Sequence, residues 1–276
     1  MASLEITHSL HNHLLFGRIW QPAQPKAVLI IHHGHGEHSG RYIPMAAVLN
    51  EAGIAVIAFD QFGHGQTSGP KGSPPSYNAM MDVVDLGIRE ATERFPGLPV
   101  FLHGHSMGGN IVSAYVLKRG GPLQGVVLSS AFLVLEVQPS PMQNLLAHLG
   151  KLLLPSLAQP TKLDASHISR IPEEVEKYKH DPLIHDMMSA RLYFGILENA
   201  EYVMDHAAEW NLPALIMHGT GDKIISTKGS EHLSKHINAE VTYRPFEGGY
   251  HEVHHDIEGA KMMNEIKDWI LAHVTH

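Results

Sequence analysis

Six short apolar runs, rich in β-branched residues, recur along the chain with helical patterns between them. They are KAVLIIHHG (26–34), IAVIAFD (54–60), LPVFLHGHS (98–106), GVVLSSA (125–131), LPALIMHG (212–219) and AEVTYRPF (239–246). Their apolar positions are continuous rather than alternating, as expected of strands buried on both faces. Such strands, spaced by helices, predict an α/β fold: a mostly parallel central sheet flanked by helices. Ahead of them, LEITHSL and LLFGRIW flank His11-Asn12-His13 and read as an antiparallel hairpin at the sheet edge. Met81, Val84, Ile88, Ala91 and Phe95 recur at helical spacing and stop at Pro96-Gly97. NIVSAYVLKR, after Ser106, is helical and stops at Gly120-Gly121-Pro122, and Ile257, Met263, Ile266 and Ile270 mark a last helix.

One region interrupts this rhythm. From about residue 132 to 208 no strand is evident, and prolines fall at 139, 141, 155, 160, 172 and 182. It reads as a helical cap, or lid, inserted into a core formed by residues 1–131 and 209–276. Within it Leu145, Leu146, Leu149, Leu152 and Leu153 form an apolar stripe. Packing against the core is the simpler expectation for the stripe; a lipid-facing or acyl-chain-lining surface is the sharper one.

Composition removes several classes of function. A net charge of −8 and the lack of a basic stripe argue against nucleic acid as a partner. With no cysteine there are no disulfides, thiolate metal sites or cysteine nucleophiles. No apolar run approaches the roughly 20 residues that span a bilayer. MASLEITHSL lacks the basic and apolar regions of a signal peptide, so a cytoplasmic protein is expected, with membrane contact no more than peripheral. The patterns carry no signal for oligomeric state. The 23 histidines are unusual and are expected to lie mostly at the surface or behind the functional groups.

The most specific motif is Gly104-His105-Ser106-Met107-Gly108. It follows the strand-like LPVFLH and opens a helix, the setting of a nucleophile elbow. A serine hydroxyl needs a general base, itself oriented by an acid, in chain order serine, acid, histidine. Asp222 directly follows LPALIMHG, in HGTGDKI; Asp164, Asp181, Asp186 and Asp205 fall in the insertion and Asp268 in the last helix. His251 follows the Gly248-Gly249-Tyr250 turn, whereas His254 and His255 lie a helical turn further on and are expected to be solvated or to sit behind it. Ser106, Asp222 and His251 are thus the candidate catalytic residues.

HHGHGEHSG (32–40) has two readings. Four histidines and a glutamate come close to the H-x-H-x-D-H pattern of dinuclear metallo-hydrolases. Acyl transfer also needs two backbone N–H groups for an oxyanion, each worth roughly 2.7–4 kcal/mol in the transition state. The amides of Met107 and, in this loop, His35 would supply them, with Gly34 and Gly36 letting the backbone turn inward. The oxyanion reading is preferred because the metal reading leaves the elbow, acid and base as coincidences.

HGHGEHSGRY, FDQFGHGQTSG, FLHGHSMGG, KYKHDPLI, HGTGDKI and GGYHE, in this order, resemble the monoacylglycerol lipase family of serine α/β-hydrolases, from about residue 5 to the C-terminus. The resemblance implies an α/β-hydrolase fold with a lid, a Ser106–Asp222–His251 triad and an oxyanion hole at the His35 and Met107 amides. It implies hydrolysis of a small lipid ester, a monoacylglycerol, to fatty acid and glycerol, without metal or cofactor. It places the glycerol end near Glu37, Arg41, His105 and Tyr178, with a structural ion pair as the other reading of Glu37 and Arg41. His35 departs from the small or aliphatic residue common there, and an imidazole would narrow or polarise the pocket. A lysophospholipase, a general carboxylesterase or an acyltransferase would use the same triad. A hydrolytically inactive receptor of this fold and a metallo-hydrolase are the alternatives from other classes.

Overall fold

The computed structural model describes residues 3–137 and 152–274. Strands are numbered along the chain: β1 (Leu4–Leu10), β2 (His13–Trp20), β3 (Ala27–His32), β4 (Ile54–Phe59), β5 (Val100–His105), β6 (Gly125–Ser129), β7 (Ala158–Pro160), β8 (Met187–Ser189), β9 (Ala214–Gly219) and β10 (Val241–Phe246). Eight of them form one sheet in the order β1-β2-β4-β3-β5-β6-β9-β10. β1 and β2 pair antiparallel and β2 runs antiparallel to β4, while the remaining pairs are parallel. The expected α/β-hydrolase fold is present.

The continuous apolar runs have the expected cause. Every residue of β3, β4, β5, β6 and β9 is buried. Along β3, Val28 and Ile30 enter one core, and Ala27, Leu29 and Ile31 the other. Helices α1 (Ile43–Glu51) and α7 (Gly259–Ala272) cover the second core; α2 (Tyr77–Arg94), α3 (Met107–Lys118), α5 (Ala190–Asp205) and α6 (Thr227–His236) cover the first. The edge hairpin turns at His11 and Asn12, both at positive φ (49° and 60°), as a two-residue turn requires. Ser76 caps α2 by accepting a hydrogen bond from the Ala79 N–H, and the helix stops just before Pro96-Gly97. Ile257 corrects the sequence reading of the last helix: it precedes α7 and is 63% exposed, and the buried face is made by Met262, Ile266, Trp269 and Ile270.

Topology locates the crevice. From β3 the chain moves through α1 to β4, then crosses back through α2 to β5 on the other side of β3. Connections leaving the carboxyl ends of β3 and β5 therefore diverge, and a cleft opens between them. HHGHGEHSG leaves β3 there, and Ser106 leaves β5 beside it.

Between β6 and β9 the chain makes α4 (Pro172–His180), α5 and a separate antiparallel pair, β7–β8. This pair was not expected; three residues per strand are too few to show a period of two. Leu192, Ile196 and Val203 of α5 share a core with α2 and α3, so the end of this segment packs as part of the helical layer. Leu145, Leu146 and Leu149 of the apolar stripe lie outside the described residues. Leu152 and Leu153 do not pack against the core, being 79% and 71% exposed. No helix among the described residues is long and apolar enough to cross a membrane.

Asn110 of α3 joins these layers. Its Nδ2 donates to the carbonyls of Phe132 (2.9 Å) and Ile196 (3.1 Å), and its Oδ1 accepts from the Tyr77 hydroxyl of α2. All three partners are buried, so Asn110→Ala should cost about 2–4 kcal/mol. Urea unfolding monitored by tryptophan fluorescence measures that loss; a cost below about 0.5 kcal/mol would show that the network does not join the layers.

Candidate active site

Ser106 sits between β5 and α3 with φ 50° and ψ −115°, a conformation an L-residue adopts only under constraint. Its N–H donates to Ser129 O (3.0 Å), and its carbonyl accepts from the Asn110 (3.0 Å) and Phe132 (2.9 Å) amides. The two glycines of the motif leave room for the turn. A Cβ at Gly108 would lie 2.0 Å from His32 O, and one at Gly104 would lie 2.5 Å from Gly108 O. Met107 opens α3, so its N–H belongs to the first turn, which has no intrahelical acceptor.

Asp222 and His251 come from the loops after β9 and β10, beside the elbow. Asp222 Oδ1 accepts from the Ile224 (2.8 Å) and Ile225 (3.0 Å) amides, and Oδ2 accepts from His251 Nδ1 at 2.7 Å. The Ser130 hydroxyl donates to His251 O (2.9 Å) and fixes that loop from the end of β6. Burial disfavours the Asp222 carboxylate, but His251 and its other donors outweigh this and hold its pKa far below the usual range. Burial also disfavours protonated His251, but the Asp222 charge prevails, with Glu252 and Glu37 adding to it, and the pKa lies above 6.5.

The first loop is held by a buried charge network. Glu37 Oε1 accepts from the Gly34 amide (2.7 Å) and the Tyr42 hydroxyl (2.9 Å), and Oε2 meets Arg41 at 3.1 Å. Arg41 in turn grips Glu252 with two bonds, of 2.7 and 2.6 Å. Because Glu252 adjoins His251, this network ties the loop after β3 to the loop bearing the histidine. Glu37 and Arg41 form an ion pair, as one of their two readings has it, and Glu37 also lines the cavity, as the other requires. The Tyr178 ring lies 5.0 Å from the Arg41 guanidinium and lines the same cavity. His105 is buried with its ring 4.9 Å from that of His251.

The histidines of HHGHGEHSG bond to protein groups. His33 donates from Nδ1 to Gly34 O and accepts the Gln61 amide at Nε2, both short. His38 pairs with Asp181 at 3.0 Å and accepts the Gly40 amide. His35 lines the cavity and reaches to Met187 O in β8, so its imidazole buttresses the inserted segment. Burial, helped by His185, lowers its pKa to about 4. No group of three or more histidines or carboxylates among the described residues is arranged to hold a metal ion. Among the described residues nine histidines are buried, several within the sheet itself, and the others are partly or fully exposed. His254 is not solvated: it stacks on Tyr42 and packs 4.8 Å from His105. His255 in turn lies 4.4 Å from His254.

Ser106, His251, Gly34, His35, Glu37 and His105 open into one cavity of about 800 Å³. Its other walls are largely apolar, including Phe132, Leu135, Leu154, Leu157, Met188 and Ile224. A Cβ on Gly34 would lie 3.3 Å from the Ser106 Cβ, so the first loop runs directly against the candidate nucleophile. Sequence reasoning missed Glu252, Ser130 and His218. Adjacency to His251 was the only signal for Glu252. His218 lies four residues before Asp222, and its Nε2 is 3.1 Å from Asp222 Oδ2.

A family model described as serine aminopeptidase, S33, matches residues 23–258. Human monoglyceride lipase is 34% identical over 263 residues, 93% of this chain and 86% of that protein. The crystal structure of a Paleococcus ferrophilus monoacylglycerol lipase is 33% identical and superposes with a TM-score of 0.85, covering 92% of this chain and 98% of the other. The chain belongs to the monoacylglycerol lipase family of serine hydrolases. A phospholipase of Bacillus subtilis is 31% identical over 87% of this chain and 93% of that protein.

A base must be neutral to act, and a raised pKa means that His251 loses its neutral form as pH falls through a midpoint above 6.5. The pH profile of kcat/KM should therefore have an acid limb with a midpoint above 6.5. A flat profile between pH 5 and 8 would contradict His251 as the base.

Proposed function

We infer that the chain cleaves the ester bond of monoacylglycerols, releasing fatty acid and glycerol through an acyl-enzyme intermediate. The observation that carries this reading is an elbow serine and a carboxylate-paired histidine facing one large cavity with mostly apolar walls. In the first half-reaction His251 takes the Ser106 proton while Oγ attacks the ester carbonyl. The His35 and Met107 amides hold the oxyanion, and His251 then protonates the departing glycerol oxygen. Water, deprotonated by His251, attacks the acyl-enzyme and regenerates Ser106. Asp222 keeps the imidazole in the Nδ1–H tautomer and stabilises the imidazolium. The chemistry calls for no metal or cofactor.

Substrate orientation follows from the lining. An acyl chain fits the wall made by Phe132, Leu135, Leu154, Leu157 and Ile224. The glycerol hydroxyls fit the end where Glu37, His105, Glu252 and Tyr178 gather, with Arg41 between the two carboxylates. Residues 132–208 are the insertion that bears the lid on the core formed by 1–131 and 209–276, with its last helix, α5, packed into the helical layer of that core. Leu152, Leu153, Leu154 and Leu157 are all more than half exposed, which favours peripheral contact of this lid with a membrane surface. A cytoplasmic location fits a lid that draws its substrate from membranes.

Hydrolysis of monoacylglycerols of graded chain length, a diacylglycerol, a lysophospholipid and simple p-nitrophenyl esters tests the reading, with Ser106→Ala in parallel. Each methylene that the apolar wall buries should add about 0.8 kcal/mol, near fourfold in kcat/KM, until the cavity is filled. Ser106→Ala should remove about six orders of magnitude in kcat. Preference for the lysophospholipid would move the assignment toward the phospholipase relative. Activity that survives Ser106→Ala and dies with chelator would return the histidine-rich loop to a metal role.

A further inference from the structure

Two imidazoles, not one, reach the same oxygen of Asp222. His251 Nδ1 lies 2.7 Å from Oδ2, and His218 Nε2 lies 3.1 Å from that oxygen. His218 is the next-to-last residue of its strand, β9, fully buried and outside the substrate cavity, so it touches neither substrate nor Ser106. Its tautomer follows from its neighbours. Two acceptors, Asp222 Oδ2 and Ile225 O (3.2 Å), converge on Nε2. Nε2 therefore carries the proton, and Nδ1 accepts from the Ser230 hydroxyl of α6 at 2.7 Å. With the Ile224 and Ile225 amides on Oδ1, four N–H groups surround the carboxylate.

We propose that His218 is a positioning residue of the hydrolytic reaction: its Nε2–H, fixed by Ser230, holds the Asp222 oxygen that His251 works against and disperses its charge. The proposal rests on the Ser106–Asp222–His251 reading. Hydrogen bonds to a carboxylate compete for the same negative charge. A donor that stays in place throughout the cycle weakens the pull of Asp222 on the His251 proton. It thereby keeps His251 able to give that proton to the leaving glycerol. Two amides already fix Oδ1; among the described residues, without His218 only His251 itself, which must change protonation state, would fix Oδ2.

The groups facing His251 are Asp222, the His105 ring at 4.9 Å, and the Glu37 and Glu252 carboxylates held by Arg41; His254 lies behind His105. From α6, His232 turns to Met204 O and Glu231 bonds Thr227, so the helix contributes only Ser230 to this network. Replacing His218 changes one donor on Asp222 and none of these charges.

His218→Leu keeps a similar volume and removes the donor. Asp222 then holds the His251 proton more tightly, and the acid limb of kcat/KM should move to higher pH by about half a unit, a threefold change in proton affinity. With Oδ2 less firmly held, kcat at the optimum should fall about tenfold. His218→Gln places an amide N–H near the same point and should restore the wild-type limb. Ser230→Ala, which frees Nδ1, should shift the limb in the same direction but less.

The assay is a pH profile of monooctanoylglycerol hydrolysis by wild type and the three variants. Circular dichroism checks each fold, and the low-field proton resonance of the His251 Nδ1–H gives a readout independent of turnover. A shifted limb and a displaced resonance in His218→Leu, both rescued by His218→Gln, support the role. A limb and resonance unmoved in His218→Leu overturn it, whatever happens to kcat, because a purely structural residue would lower kcat without moving either. If His218→Leu does not fold, Ser230→Ala decides by the same two readouts. Absence of an acid limb in the wild type would instead overturn the triad reading, and this inference with it.

Discussion

A serine backbone held at φ 50° and ψ −115° is the constraint on which the rest of the site depends. Such a conformation costs on the order of 1–3 kcal/mol and survives only when its surroundings over-determine it. Here the surroundings are the sheet and α3 themselves. The Ser106 amide joins Ser129 across β6, its carbonyl serves Asn110 and Phe132, and Gly108 rests where any side chain would enter His32 O. One position thus requires that β3, β5, β6 and α3 all be in register. The buried strands and helical layers fix the elbow, and the elbow aims the hydroxyl into the crevice at the ends of β3 and β5.

Charge is arranged around that point in two linked parts. Asp222 is saturated by N–H donors and keeps its negative charge despite burial, which lets it raise the pKa of His251. Arg41, between Glu37 and Glu252, binds the loop after β3 to the loop that carries His251. The number of buried histidines is reconciled with a packed interior by neutral rings. Burial lowers the pKa values of His32, His64, His103 and His254, so these rings pack as uncharged aromatics and do not compete with His251 for protons. His35 links the loop after β3 to the inserted segment through Met187.

The sheet was readable from sequence because strands buried on both faces leave continuous apolar runs, and helices such as α2 leave a period of 3.6. The elbow was readable because glycine at 104 and 108 answers a steric demand that no other residue meets. Asp222 and His251 were readable from chain order and from their places after strands, and the structure brings them within 2.7 Å. Other features left no local trace. His218 matters for the direction its ring takes at the end of a buried strand, and β7–β8 is too short to show a period. The buried state of His254 depends on Tyr42, more than 200 positions away in the chain. The exposure of Leu152 and Leu153 goes against the simpler expectation of core packing, because an apolar stripe by itself does not say which surface it meets.

The central claim is that Ser106 is the nucleophile, activated by His251. Reaction with a fluorophosphonate, which phosphonylates only activated serines, followed by peptide mass mapping, tests it most directly. The account predicts one label per chain, on the peptide containing Ser106, formed in the wild type and lost in His251→Ala. A label on any other residue, or an unlabelled Ser106 in protein that still hydrolyses monoacylglycerol, would contradict it.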